Sequence, residues 1–392
     1  MGVQTTGDGI WDLVVVGAGP AGASAALGAR AADPGLRVLM VDREDFPRDK
    51  CCGDGIAPHV FDALASVGVH DVADGWTPLR ELQLTRTAGT SAARRPAAPP
   101  PHVQRGLRRP VWVIPRHVFD ARLVRHATRA GAELRRHRVR DVELTPDGVV
   151  LDGRITARVV VAADGAHSVL RSALGVGPVP RRALAIRGYA PTPSSRRGRQ
   201  VIVYGERRQP SYAWAFDRGD GLSNVGYGEL LEGGEVDPPS RTLLLEQLER
   251  LLPGSSDDGS RWRAHHLPLS HWRWRQPDGR VLLTGDAAGL VNPMTGEGIY
   301  YAVASGLLAG RAAVHALAGS APQEAGARHR ASLRRLLARH LRHTFVTSRL
   351  SNAPAVVDAG IRAAARDQRV FDDLVEIGLG RGILTPRQTV AP

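Results

Sequence analysis

The chain has 392 residues, of which 43% are hydrophobic and 23% are charged, a composition that allows two layered globular domains. The net charge is +13, and the 52 basic residues, of which Lys50 is the single lysine, are scattered along the chain. Because no basic segment interleaved with aromatic residues occurs, we expect no nucleic-acid binding. Two adjacent cysteines, Cys51 and Cys52, exclude a disulfide framework. Because the sequence also shows neither a signal peptide nor an apolar run of about 18 residues, we expect a cytoplasmic protein.

The first predicted element is a strand that leads into a glycine-rich turn. Residues 11–16 are a β-branched apolar run, residues 17–22 read GAGPAG, and an alanine-rich helical stretch follows. These glycines permit a tight turn, close approach of a pyrophosphate, and packing of the helix on the strand. A second strand, residues 37–41, ends at an aspartate whose carboxylate suits a ribose hydroxyl. The residues predicted to bind an adenine dinucleotide are Gly17, Gly19, Pro20, Ala21, Gly22, Asp42 and Arg43.

Two later segments favour FAD over NAD as this dinucleotide. Residues 158–163 form a buried-strand pattern followed by Asp-Gly, and the strand at residues 280–284 is followed by Gly-Asp. An acid at the carboxyl end of such a strand can accept hydrogen bonds from a ribityl hydroxyl. A turn of small residues then opens the helical stretch 299–317, and its N–H groups and positive dipole end suit the charge of a reduced flavin. The predicted flavin contacts are Asp164, Gly165, Gly285, Asp286, Pro293, Gly296, Glu297, Gly298 and Ile299.

These motifs resemble those of the FAD-dependent hydroxylases, halogenases and prenyl reductases, which share a glutathione-reductase-type FAD domain. Within that family the chain is similar to the geranylgeranyl reductase branch, which includes menaquinone and archaeal-lipid reductases. The resemblance implies that Arg116, at the start of a predicted helix, also contacts FAD. Two positions depart from the branch, because Asp217 and Cys51 stand where prolines are usual. The segments that carry the likeness are residues 46–55, 185–189, 211–216 and 293–299.

The order of these segments predicts an α/β fold with two interleaved parts. A Rossmann-type FAD-binding domain alternates along the chain with an antiparallel-sheet substrate domain, and a helical region follows at the C-terminus. The Pro/Ala/Ser-rich residues 87–101 are predicted to form a loop. The predicted FAD-binding domain comprises residues 1–75, 116–175 and 276–320, the substrate domain residues 76–115 and 176–275, and the helical region residues 321–392.

Reduction of a prenyl or terpenoid double bond is the first chemistry that these motifs allow. Reduced flavin can deliver hydride to one alkene carbon, and the other carbon then needs a proton. Cys52, which the resemblance places near the flavin, is mostly a thiol at neutral pH and could donate that proton; the alternative is an inert buried cysteine. Tyr212, Trp214 and Phe216 alternate along a strand and share one face, either as the wall of an apolar tunnel or as core packing.

Other chemistries remain open at this point. FAD-dependent monooxygenases that hydroxylate aromatic or polyketide natural products use the same motifs and differ in a pocket that excludes water. Halogenation is disfavoured, because halogenases depend on a lysine in the substrate tunnel. The single lysine here, Lys50, lies instead in the loop that contains Cys51 and Cys52, which we call the cysteine loop. A non-enzymatic flavin module would not need this set of motifs. Since no second glycine fingerprint follows a strand, we expect the electrons to come from transiently bound NAD(P)H or from a reduced partner such as a separate reductase or ferredoxin.

A basic amphipathic helix is predicted near the C-terminus. Residues 328–349 place leucines at helical spacing and surround them with arginines. Such a stripe can lie on the inner face of an anionic membrane, where a hydrophobic polyprenyl substrate would reside. The alternative is a surface helix that packs its leucines on the protein core.

Overall fold

The computed structural model describes residues 9–87, 99–231, 239–272 and 274–385, and the predicted loop at residues 87–101 lies largely outside them. The described residues form fifteen strands and nine α-helices. The strands are β1 (Trp11–Val16), β2 (Val38–Asp42), β3 (Gly55–Ile56), β4 (Leu79–Arg86), β5 (His102–Val113), β6 (Glu133–Arg136), β7 (Val142–Leu144), β8 (Val149–Leu151), β9 (Ile155–Ala162), β10 (Arg182–Pro191), β11 (Arg199–Tyr204), β12 (Tyr212–Asp217), β13 (Leu222–Leu231), β14 (Ser260–Pro268) and β15 (Val281–Leu283). The helices are α1 (Pro20–Ala32), α2 (Pro58–Ala65), α3 (Arg116–Arg129), α4 (Val169–Ala173), α5 (Arg241–Leu251), α6 (Ile299–Ala318), α7 (Ala325–Leu350), α8 (Pro354–Arg366) and α9 (Gln368–Leu379).

The first sheet has the doubly wound pattern expected from the sequence. Its strand order is β6-β2-β1-β9-β8-β7, and β15 also pairs with β9. Strands β6, β2, β1, β9 and β15 are parallel, whereas β7 and β8 form an antiparallel extension of β9. Strands β2 and β15 are buried at every position, as expected of parallel strands that are covered on both faces.

The second sheet is the predicted antiparallel layer. Its order is β14-β10-β13-β12-β11-β4-β5-β3, and among its pairs β11 and β4 alone are parallel. Helix α5 packs on one face through Leu244 and Leu248. Helices α8 and α9 pack on the β4–β5 end through Ile361 and Phe371. The predicted fold class is thereby confirmed. The short strand β3, which falls within the predicted FAD-binding range 1–75, pairs with β5 of the second sheet.

Helices α1 and α6 approach each other so closely that glycine is required at their contact. A Cβ added to Gly306 would lie 2.1 Å from the carbonyl oxygen of Ala21, and one added to Gly310 would lie 2.1 Å from that of Ala25. The two backbones are therefore in direct contact. This contact fixes the position of the α6 N-terminus relative to the α1 N-terminus, and both termini belong to the site described below.

Helices α6 and α7 direct apolar side chains into the protein interior. Among the described residues α6 is the one helix that is long and apolar enough to cross a membrane, and 72% of its most apolar window is buried inside the protein. In α7, Leu333, Leu337 and Leu341 are buried in the same core as β1 and α6. These leucines therefore pack on the protein core, which is the alternative that the sequence left open, because helical spacing identifies an apolar face without identifying what covers it.

Gly306→Ala should test the close contact of α1 and α6. The added methyl group would collide with rigid backbone, so we expect the free energy of unfolding to fall by about 1–3 kcal/mol. Gly360→Ala is the matched control, because Gly360 also lies within a helix but has nothing within 4 Å of its added Cβ. The control should be neutral or slightly stabilising in denaturant unfolding. Equal effects of the two substitutions would contradict this account of the contact.

Candidate active site

A cavity of about 1170 Å³ collects the predicted site residues. Its lining comes from both sheets and from the C-terminal helices α8 and α9. Of the residues predicted from the sequence, Gly22 and Gly285 do not line it. A Cβ on Gly22 would lie 1.7 Å from the carbonyl oxygen of Gly17, and a Cβ on Gly285, which has φ +51°, would lie 3.1 Å from the Cβ of Ala21. Both glycines pack closely beside the cavity, and the contact of each with the cofactor stays a prediction.

One end of the cavity has the features of a dinucleotide cradle. Gly17 has φ +93°, and a Cβ there would lie 2.3 Å from the carbonyl oxygen of Ala163. Helix α1 begins at Pro20 without a side-chain cap, so its N-terminal N–H groups remain available to a phosphate. Asp42 orients the turn by accepting a hydrogen bond from the Ala18 N–H at 2.8 Å. Arg43 lines the cavity beside it.

Arginine and aspartate pairs surround this cradle. Arg116 makes two hydrogen bonds with Asp120, at 2.6 and 2.7 Å, and both side chains are buried. Arg48 lies 3.3 Å from Asp120 and 3.7 Å from Asp42. Arg48 also lines the cavity, although the sequence reasoning left it out, since only the fold brings it next to the α1 turn.

Two acids follow strand ends and face the cavity. Asp164 Oδ2 caps α4 by accepting the Val169 N–H at 2.8 Å, while its buried Oδ1 has no partner among the described residues. Burial raises the pKa of this carboxyl. Asp286 Oδ2 lies 3.1 Å from the Lys50 Nζ. Burial opposes ionisation of Asp286, but the Lys50 ammonium outweighs it and lowers the pKa of Asp286. The residues fit a polyhydroxyl ligand, because both carboxyl groups line the cavity and one oxygen of Asp164 has no partner among the described residues.

The cysteine loop is anchored by a buried arginine that the sequence reasoning did not single out. Arg187 on β10 is fully buried, and its Nη2 donates to Asp49 Oδ1 at 2.5 Å and to the Lys50 carbonyl at 3.0 Å. Its guanidinium also stacks on the Tyr189 ring at 4.7 Å. Arg187 was visible in the sequence only as part of the segment 185–189, where its spacing gave no indication of its partners.

A second set of buried polar groups fixes the end of the same loop. Asp54 has φ +58°, is fully buried, and accepts hydrogen bonds from the Tyr189 hydroxyl at 2.5 Å and from Asn224 Nδ2 at 2.8 Å. Asn224 also donates to the Cys52 carbonyl at 2.8 Å. Burial raises the pKa of Asp54 to about 6. These bonds determine where the backbone of Cys52 lies.

The two cysteines differ in their surroundings. Cys52 lines the cavity, and burial raises the pKa of its thiol, although the positive charge of Arg116 opposes the shift. Cys51 donates its S–H to the Arg263 carbonyl at 3.1 Å, and burial raises its pKa to about 12. Both side chains are therefore thiols at neutral pH, and neither is in a disulfide.

The aromatic side chains of β12 line one wall of the cavity. Tyr212, Trp214 and Phe216 face it together, with ring centroids 5.9 and 6.4 Å apart along the strand. The indole of Trp214 donates to Asn224 Oδ1 at 2.8 Å and covers Gly226, where an added Cβ would lie 2.2 Å from the ring. The unusual Asp217 is buried instead against a turn, where it accepts the N–H groups of Gly198 and Gly219.

The turn before α6 closes the cavity near Cys52. Gly296 has φ +68°, and the Tyr212 hydroxyl donates to the Thr295 carbonyl. Glu297 accepts the Tyr300 N–H at 2.9 Å and so caps the helix. Burial raises the pKa of Glu297 to about 7, with Arg116 and the helix N–H groups opposing the shift.

Beyond the aromatic wall the cavity is apolar. It continues between β4 and β11 on one side and helices α8 and α9 on the other. No groups of three or more histidine, cysteine or acidic side chains suited to a metal ion occur in the described part of the chain. The apolar side chains that line this arm include Leu82, Leu84, Ile202, Val357, Leu374 and Val375.

Comparison with known proteins decides the family. A model described as FAD binding domain matches residues 11–205. The chain is 33% identical over 317 residues to menaquinone reductase of Mycolicibacterium smegmatis, which covers 76% of this chain and 75% of the relative. It is 31% identical over 328 residues to digeranylgeranylglycerophospholipid reductase 1 of Methanopyrus kandleri, covering 78% and 81%. The chain belongs to the geranylgeranyl reductase family. It is an FAD-dependent oxidoreductase.

The fold agrees with that assignment. A crystal structure of a geranylgeranyl bacteriochlorophyll reductase-like protein from Thermoplasma acidophilum superposes with a TM-score of 0.77 at 20% identity, covering 97% of this chain and 95% of that one. At this identity the likeness shows a shared fold. The family resemblance inferred from the sequence is therefore confirmed, while the roles of the individual site residues stay predictions.

Glu297→Gln should reveal the buried carboxyl in the pH dependence of stability. A glutamate with a raised pKa stabilises the fold when it is protonated, so its contribution is complete below the ordinary pKa of 4.5 and is lost as the pH rises through about 7. The wild type should therefore lose about 2 kcal/mol relative to the variant between acidic and mildly alkaline pH. Parallel stability profiles for the two proteins, measured by denaturant unfolding, would contradict the assignment.

Proposed function

We propose that this enzyme reduces carbon–carbon double bonds of a polyprenyl chain that lies in the apolar arm of the cavity. The observation that carries the proposal is the continuity of that arm with the loop of Cys52. Prenyl chains are long and lack polar groups, so a cavity walled by aliphatic and aromatic side chains compensates for their removal from water. The relatives named above as menaquinone and digeranylgeranylglycerophospholipid reductases support a substrate of this class.

The proposed FAD site uses the polar half of the cavity. In this proposal residues 1–75, 116–175 and 276–320 act as the FAD-binding domain. The α1 turn would hold the pyrophosphate, Asp42 would accept a hydrogen bond from the adenosine ribose, and Asp164 and Asp286 would accept hydrogen bonds from the ribityl and flavin portions. The turn that contains Glu297 would present the N-terminus of α6 to the flavin ring. Residues 76–115 and 176–275 form the substrate domain, to which α8 and α9 add a covering layer.

Cys52 is the proposed proton donor. In this site reduced FAD would supply a hydride to one alkene carbon. The chain must supply a proton to the other carbon, and the buried Cys52 thiol holds one at neutral pH. Asn224 positions the Cys52 backbone, while Tyr212, Trp214 and Phe216 hold the alkene against it and exclude water.

The proposed electron donor is external to the chain. The described residues contain one glycine-rich strand–turn–helix fingerprint, at Gly17, and the proposal assigns it to FAD. NAD(P)H that binds transiently, or a reduced protein such as a reductase or ferredoxin, would then reduce the flavin. Free cysteines are in keeping with the reducing cytoplasmic setting that either donor needs.

Cys52→Ser tests the proton donor. A serine hydroxyl is a far weaker acid than a thiol, so we expect the rate of alkene reduction to fall by about 10²–10⁴-fold while flavin content is unchanged. The rate is measured anaerobically, from reoxidation of the reduced flavoprotein by a geranylgeranyl lipid. Cys51→Ser is the matched control, since the neighbouring thiol bonds to a backbone carbonyl and should be dispensable.

A Cys52→Ser enzyme that turns over as fast as the wild type would remove Cys52 from the mechanism. Equal losses in both variants would indicate that the loop has been disturbed rather than the proton donor. Absence of any reoxidation by the prenyl lipid, in the wild type as well, would contradict the proposed function itself.

A further inference from the structure

The apolar arm of the cavity reaches the surface where α7 ends and α8 begins. Leu350 at the end of α7 and Val356 in the first turn of α8 both line the cavity, yet their exposed fractions are 48% and 43%. Thr347, Ser351 and Ala355 line the same stretch. An opening bordered by exposed apolar side chains therefore connects the interior arm with the outside.

The apolar surface extends beyond this opening. Val346, one helical turn before Leu350, is 47% exposed, and Trp272 is 46% exposed. Trp272 is linked to the same helix through His271, whose ring lies 6.1 Å from the indole and 4.8 Å from the Phe345 ring. Of the seven large apolar side chains that are exposed in the described residues, four thus belong to one surface. We call it the α7–α8 rim: Trp272, Val346, Leu350 and Val356.

Positive charge surrounds the α7–α8 rim. Helix α7 contains no acidic residue, and Arg342 and Arg349 are exposed on the turns that carry Val346 and Leu350. Within the described residues neither arginine has an acidic partner. Arg362 is exposed two turns beyond Val356 on α8, whereas the acid of that helix, Asp358, is already paired with Arg86 at 2.9 Å. The surface is therefore apolar at its centre and basic at its edge.

We propose that the α7–α8 rim docks on the surface of an anionic lipid bilayer, so that a prenyl chain passes from the membrane into the cavity without crossing water. Apolar side chains that insert at the headgroup boundary, flanked by arginines that attract anionic lipids, are the combination that holds a protein at a bilayer surface. A polyprenyl lipid leaves the bilayer only at a large free-energy cost, which a direct opening avoids. The delivery step rests on the proposed function, but the docking itself does not.

The test compares two matched double variants in vesicle co-sedimentation. The first double variant, called the Val346 variant, combines Val346→Asp with Arg342→Glu and so alters the rim at residues that do not line the cavity. Leu144→Asp with Arg140→Glu makes the same changes at a distant strand, where Leu144 is 53% exposed and Arg140 is also exposed. The vesicles are phosphatidylcholine with or without phosphatidylglycerol, at low and high salt. Flavin content and melting temperature establish that both variants are folded.

The wild type and the Leu144 control should bind phosphatidylglycerol vesicles, and the Val346 variant should partition about ten-fold less. Binding should weaken without the anionic lipid or at high salt. Failure of the wild type to bind, or equal binding of the two variants, would overturn the proposal.

Turnover of a detergent-dissolved substrate and of a vesicle-bound substrate distinguishes failure of the docking proposal from failure of the proposed function. The Val346 variant should reduce a short prenyl substrate in detergent at the wild-type rate. It should reduce a prenyl lipid embedded in vesicles more slowly than the wild type does. If vesicles bind normally but no prenyl substrate is reduced, the proposed function fails and the docking surface stands. If turnover in vesicles is unaffected by the Val346 variant, delivery through the rim is contradicted.

Discussion

The buried guanidinium of Arg187 is the constraint on which the site depends. A charge removed from water is costly unless it is paired and hydrogen-bonded. The Nη2 of Arg187 is paired with Asp49 and the Lys50 carbonyl, and the guanidinium stacks on the Tyr189 ring, so the segment that follows β2 must cross from the first sheet to the second. The cysteine loop is held in place as a consequence of satisfying this charge.

The loop in turn joins the two chemical halves of the cavity. On the polar side, Lys50 of the loop pairs with Asp286. Beside the aromatic wall, the Cys52 carbonyl and the Asp54 carboxylate at the other end of the loop accept hydrogen bonds from Asn224. Cys52 lies between these contacts. A cofactor site with exposed helix N–H groups and acids is thereby placed next to an apolar arm, and this adjacency is what a reaction between a charged cofactor and a hydrocarbon chain requires.

Short-range patterns predicted the parts of the site that depend on local geometry. The fingerprint at Gly17 and the acids after the strands could be read directly because a turn and a strand end each have a local signature. Strand periodicity likewise placed Tyr212, Trp214 and Phe216 on one face. The partners of Arg187 and the covering role of α8 could not be predicted, since they depend on contacts between segments more than a hundred residues apart. For the same reason the sequence could not decide whether the leucine stripe on α7 faces the core or a membrane.

The measurement that tests the account most directly is anaerobic single turnover with product analysis. The flavoprotein is reduced with dithionite and mixed with a geranylgeranyl lipid or menaquinone, and the product is analysed by mass spectrometry before and after oxygen is admitted. We expect flavin reoxidation without oxygen and a product heavier by two hydrogen atoms for each double bond reduced. A protein that stays reduced until oxygen enters, and then yields from an aromatic substrate a product heavier by one oxygen atom, would be a monooxygenase and would contradict it.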